Sequence, residues 1–324
     1  MGYNTFVENS LLLEKGVTLK QTVLRVVWWN CGLSGLLKKL PKSGDALSKD
    51  DVKKLRAISI KMTMTKEVIK KLAEQSDVLV LGEFSWGGDT EAFVSGLIND
   101  LKSAGVDFGY ENLSCEISGT KMLFDNFVLY NKSLIKIDNV SHCSNIGTKR
   151  RRINYRAYQT VSFQHLTESN FKGEMAIVHW GMRNGFGGDT YESHRLMAAE
   201  KLAKRLSTGM NYPYKIIVGD FNNEPYEDSF RWLSASRSIE YAQNYDALYN
   251  PFWRFLDGTQ CTIYSKNNHD FKDNGAVFDN IIVNSKFLDA TKPWELTPGI
   301  LEEPLSGYSM GKHDHYPIAM DFKV

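Results

Sequence analysis

The chain has 324 residues, 42% of them hydrophobic, with 39 basic against 38 acidic side chains and a net charge of +1. That is apolar material enough for a large core, and the balanced charge excludes binding to nucleic acid through global charge alone. No apolar run approaches the ~20 residues that span a bilayer.

The opening stretch, MGYNTFVENSLLLEKG, has no basic region ahead of its three leucines. Phe6 stands where a myristoylation signal carries Ser or Thr, so neither a signal peptide nor a lipid anchor is expected. Strand-like runs then recur to the end of the chain: TVLRVVWW (22–29), DVLVLGE (77–83), DNFVLYN (125–131), YQTVSFQHL (158–166), EMAIVHW (174–180), KIIVGDF (215–221), AVFDNIIVN (276–284) and YPIAMDF (316–322). Several are apolar almost throughout, the pattern of strands buried on both faces. Between them, residues 50–75 and 191–206 place apolar side chains at helical spacing. Interleaved strands and helices predict one α/β domain over residues 1–324. The four cysteines (Cys31, Cys115, Cys143 and Cys261) are scattered and form no CxxC pair. This argues against a zinc site and for a cytoplasmic protein with reduced thiols.

The strands end on polar groups. KIIVGDFNNEP places Asp220 and Asn222 two apart, and residues i and i+2 of a strand face the same side. Asn30 ends the first strand and Glu83 the second, while His179 closes another. Asp279 sits inside an apolar run, and Asp314 and His315 precede the last strand. Ligand sites of α/β proteins collect at strand ends. Taken singly, each residue is equally well a turn former, a core histidine or a member of a structural ion pair. Together they form a set rich in hard oxygen donors, which suits Mg²⁺ or Mn²⁺ rather than zinc.

In order along the chain, WNCGL, VLGE, IVHW, GDFNNEP, FDNIIVN and HDHYPI resemble the motif series of the endonuclease/exonuclease/phosphatase, or DNase I-like, family. The resemblance implies a four-layer α/β sandwich, two packed mixed sheets flanked by helices. It implies Glu83 as principal metal ligand, with Asp314 and Asn30 nearby. It implies that Asp220 and Asn222 orient or deprotonate the attacking water, that Asp279 supports His315, and that His179 is the second histidine at the phosphate. Two positions depart from the family pattern: Gly82 stands where glutamine is usual, and His313 where serine is usual. The first two motifs are also usually closer together, so residues 36–75 look like an enlarged basic helical insertion that includes Lys53, Lys54, Arg56 and Lys61, most of whose lysines are expected on a solvated face, with a phosphate-backbone track as the alternative.

Arg156 fits the family's arginine at a strand start, and a planar guanidinium matches phosphate oxygens. Arg183, Asn184 and Trp180 follow His179 closely enough to reach substrate, and Trp86 follows Glu83. These expectations describe a Mg²⁺-dependent phosphodiester hydrolase, a nuclease acting on DNA or RNA, with nucleic acid as partner and no membrane. The alternatives are a phosphomonoesterase or lipid phosphodiesterase of the same family, and a binding protein without catalysis. The complete polar set argues against the last.

Overall fold

The computed structural model describes residues 22–33, 48–84, 90–116, 123–147, 154–168, 170–183, 191–208, 212–264, 275–289, 291, 294–306 and 314–324. In chain order the strands are β1 (Thr22–Asn30), β2 (Val78–Gly82), β3 (Phe108–Asn112), β4 (Cys115–Glu116), β5 (Leu123–Phe124), β6 (Phe127–Asn131), β7 (Ile135–Gly147) and β8 (Asn154–His165). They continue as β9 (Lys172–His179), β10 (Tyr214–Asp220), β11 (Ala235–Ser236), β12 (Leu248–Tyr249), β13 (Asp279–Asn284), β14 (Glu295–Ile300) and β15 (Ile318–Lys323). The helices are α1 (Lys49–Ala73), α2 (Thr90–Ser103), α3 (Glu192–Thr208), α4 (Asp228–Trp232) and α5 (Ile239–Asn244).

Two mixed sheets form the centre, one in the order β14-β15-β1-β2-β6-β3 and the other β11-β12-β13-β10-β9-β8-β7. The two-residue side-chain period of a strand explains why β1 is apolar at every inner position. Leu24, Val26 and Trp28 point into the core between the sheets, where they join Val78, Val80, Ile177, Val218, Ile281 and Met320. Val27 and Trp29 point the other way, against Val68, Ile69 and Leu72 of α1 and Val94 and Leu97 of α2. The second sheet repeats the pattern, with Ala176, Val178 and Ile217 packed on Ala198, Ala199 and Leu202 of α3. Four layers result, as the motif series implies.

Each sheet has one central parallel pair, β1 with β2 and β9 with β10. A parallel pair needs a long crossover, and α1 and α3 lie on the two crossovers. The N-terminus of α1 is closed by a reciprocal cap between Ser48 and Asp51. It buries Ile58 and, in its C-terminal half, Thr65, Val68, Ile69, Leu72 and Ala73, so the described part of segment 36–75 is a crossover helix seated on the core. Lys54 pairs with Asp51, and Lys66 and Lys70 pair with Asp100. Cys31 and Cys261 are free thiols. Among the described residues no helix is long and apolar enough to cross a membrane.

Candidate active site

Parallel pairing brings the polar strand ends to one edge of the sandwich. Asn30 is in register with Gly82, and Asp220 is in register with His179 on one side and Asp279 on the other. A cleft of about 220 Å³ opens there, lined among others by Asn30, Glu83, Arg156, His179, Arg183, Asp220, Asn222, Asp314 and His315.

The backbone is shaped for these positions. Glu83 and Asn222 have φ of 48° and 49°, a left-handed conformation that costs a residue with a Cβ about 1–2 kcal/mol. Such strain collects where function needs a particular side-chain direction. Gly219 has φ +147°, and a Cβ there would lie 1.9 Å from the carbonyl oxygen of Val178. Glycine before Asp220 is thus what lets β10 pass close to β9.

His315 Nδ1 is 2.8 Å from Asp279 Oδ2, and the other oxygen of Asp279 accepts from the indole of Trp28 at 2.7 Å. The indole of Trp29 donates to the carbonyl of His315 at 3.2 Å. Thr262 Oγ1 receives the backbone N–H groups of Phe278 and Asp279. Burial alone would drive the proton off His315, but Asp279, Asp220 and Asp314 outweigh it and hold the imidazole pKa well above its usual value.

His179 is set the opposite way. Its Nδ1 lies 3.1 Å from Nη1 of Arg156, and a guanidinium can only donate. The proton is therefore on Nε2, which faces Glu83 Oε1 at 3.4 Å and Asp220 Oδ2 at 3.9 Å. Burial, then the charges of Arg156 and His315, push its pKa well below the usual value. The surroundings thus favour the proton on His315 and disfavour a second one on His179.

Asp220 is enclosed by donors: the backbone N–H of Asn222 at 2.8 Å, the amide of Asn30 at 3.3 Å, and His315 Nε2 at 3.8 Å. Burial and the charge of Asp279, opposed by His315, raise its pKa to about 7. Arg183 is held by Glu227 and lies over the ring of Phe278.

The model of the endonuclease/exonuclease/phosphatase family matches residues 53–321. The chain belongs to this family. Comparison with curated proteins gives no match. Solved structures of similar fold include the human Nocturnin catalytic domain with bound sulfate, at 17% identity and TM-score 0.55, covering 95% of this chain and 96% of that one. Others are a mannosyl-6-phosphatase from Bacteroides thetaiotaomicron (13%, TM-score 0.53, 92% and 99%) and TDP2 from C. elegans (14%, TM-score 0.52, 100% and 82%). Members of the endonuclease/exonuclease/phosphatase family are hydrolases of phosphate esters.

The structure gathers Asn30, Glu83, Arg156, His179, Arg183, Asp220, Asn222, Asp314 and His315 around one cleft, with Asp279 directly behind His315. Trp180 is a correction. It is fully buried, its indole donates to the carbonyl of Ala157 and its ring packs on Phe221. It serves the core and cannot reach a substrate. Asn184, Trp86 and His313 lie outside the described residues. Lys61 departs from the expected solvated face: its ammonium reaches the carbonyl of Gly32 at 3.0 Å, near Asp314. Trp28, Thr262 and Glu227 carried no signal in the sequence, because each acts through a partner far along the chain.

Family members generally use a divalent metal, and the donors here suit one. Glu83 is part-exposed at the cleft and Asp314 is exposed. The amide oxygen of Asn30 has one lone pair taken by the Gly32 N–H and a second left to donate. Asp220, Asp279 and His315 also have ligand atoms within 4.8 Å of one another. Both oxygens of Asp279 already accept N–H bonds, so that trio is better suited to holding protons than a cation.

Proposed function

We propose that the protein hydrolyses phosphodiester bonds of nucleic acid with a Mg²⁺ or Mn²⁺ ion held by Glu83, Asp314 and Asn30. When bound, the ion offsets phosphate charge and polarises the ester toward attack. Asp220 accepts the proton of the attacking water, a task that suits a carboxyl group with a pKa of about 7. Asn222, whose backbone N–H fixes Asp220 and whose amide donates to the carbonyl of Trp180, has a second amide N–H for a phosphate oxygen. Neutral His179 donates from Nε2 to the phosphate, and Arg156 and Arg183 add charge on the same side. Protonated His315, oriented by Asp279, protonates the departing alkoxide.

The observation that carries this reading is the geometry: two imidazoles, one against Asp279 and the other against Arg156, face one cleft with Asp220 between them. Nucleic acid as substrate is supported by the arginines at residues 150–156 and by Arg183. A second reading, a phosphomonoesterase, is favoured by the two arginines at one cleft, which match a dianionic ester. A panel of single- and double-stranded DNA, RNA, a phosphomonoester and a sphingomyelin-type lipid, with Mg²⁺ or EDTA, tests the proposal. Metal-dependent cleavage of a nucleic acid supports it. Turnover of the monoester or lipid alone replaces it, and silence on every substrate in Mg²⁺ and Mn²⁺ refutes it.

A further inference from the structure

Residue 82 is glycine where the family usually has glutamine, and the structure shows what takes that space. A Cβ on Gly82 would fall 2.3 Å from Cη2 and 2.8 Å from Cζ2 of Trp28. The far edge of the indole fills the space a side chain at position 82 would take, and from that seat its Nε1 reaches Oδ1 of Asp279 at 2.7 Å. Trp28 and Asp279 are both fully buried. An ionised carboxylate in such a place needs donors on both oxygens, and here the two donors are Trp28 and His315.

We propose that Trp28 is a positioning residue for the His315–Asp279 pair, and that Gly82 is the cleared floor that lets its indole reach Asp279. A carboxylate held at one oxygen only can turn about its Cβ–Cγ bond. With Oδ1 tied to β1, Oδ2 is aimed at His315 Nδ1, and the imidazole presents Nε2 to the cleft. The backbone carbonyl of His315 is tied to the neighbouring Trp29, so two adjacent indoles on opposite faces of β1 fix the two ends of one catalytic pair. The substitution at position 82 thus accompanies a donor that the motif series does not contain.

The inference rests on the proposed phosphoesterase reading, and its test separates the two. Trp28→Phe removes the N–H together with the far part of the ring that sits beside Gly82, so the double variant below is what isolates the bond. It should lower kcat about 10- to 100-fold, the usual cost of losing an outer partner, with KM within about twofold. In an Asp279→Asn background the same change should cost nothing further, because the partner it acts through is already gone. Gly82→Ala should displace the ring and reproduce the kcat loss. The Trp28 indole N–H resonance should lie downfield in wild type and move upfield in Asp279→Asn, a readout that needs no turnover and no folded Trp28 variant. A Trp28→Phe enzyme within twofold of wild type, losses that multiply with Asp279→Asn, or an unmoved indole resonance would overturn the proposal. A wild type without activity on any phosphate ester would sink the function while the indole resonance still decides the contact.

Discussion

Nδ1 of His179 accepts from the guanidinium of Arg156 at 3.1 Å, so a residue that cannot release its protons dictates which nitrogen of its neighbour carries one. Arg156 therefore has two tasks, charge toward the phosphate and control of a tautomer. Arg156→Met removes both and should lower kcat/KM by at least about 100-fold. Arg156→Lys, which keeps the charge but loses the planar fork, should recover only part of it. Nitrogen chemical shifts of His179 check the tautomer directly: Nε2 protonated in wild type, mixed in Arg156→Met.

Glu83 sits in a left-handed backbone conformation at φ 48°. Glu83→Gly should relieve that strain, leaving stability unchanged or raised by about 1 kcal/mol, while metal-dependent turnover and Mn²⁺ binding are lost. Thermal unfolding and metal titration of the same sample read both. A stable protein with full activity would remove Glu83 from the metal site.

Activity should follow a bell-shaped pH curve. Asp220 must be deprotonated to act as base, so the rate rises with pH through about 7 in the absence of other charge at the site. His315 must keep its proton, so the rate falls on the alkaline side, above the ordinary histidine value. The two groups interact, and the limbs belong to the pair. Stability of the metal-free protein should fall over the same range. Asp220 binds its proton more tightly folded than unfolded, where the pKa is about 3.9. Its contribution is present below about pH 4 and lost as pH rises through about 7. That of His315 is present below about pH 6.5 and lost above it. Denaturant midpoints in EDTA measure this directly.

Lys61 places a part-buried ammonium beside the carboxylates of Asp314 and Glu83, and burial lowers its pKa against their pull. A fixed cation there opposes a second one. Lys61→Met should tighten Mn²⁺ binding on the order of tenfold, as expected for removing a like charge at short range. Unchanged affinity would make its bond to Gly32 purely structural.

Gly219→Ala should destabilise the fold by about 2 kcal/mol or more, since its Cβ would overlap the carbonyl of Val178 at 1.9 Å. Urea unfolding checks it.

Much of this arrangement was legible in the sequence for a physical reason. Strands buried on both faces are apolar throughout, so β1, β2, β9, β10 and β13 stood out, and parallel pairing of β1 with β2 and β9 with β10, with β13 antiparallel to β10, carries their polar residues to one edge. The strands of five residues or more that went unread, β3, β7 and β14, are sheet edges. Edge strands face water along one side and carry mixed patterns, as Pro298 in β14 shows. The residues that orient the site were illegible for another reason. Trp28 looks like any core tryptophan until its bond to Asp279, 251 residues away, is seen. Trp180 misled in the opposite sense: it follows His179 in sequence, but its side chain turns to the helix-covered face of the sheet.

The central claim is metal-assisted hydrolysis in which Asp220 is the base. Its most direct test is the turnover of the best nucleic-acid substrate by wild type and Asp220→Asn in Mg²⁺ and in EDTA, with Mn²⁺ binding measured on both proteins. The account predicts activity in wild type with Mg²⁺ only, a loss of at least about 100-fold in Asp220→Asn, and metal binding retained in that variant. Turnover that persists in EDTA, or an Asp220→Asn enzyme as fast as wild type, would contradict it.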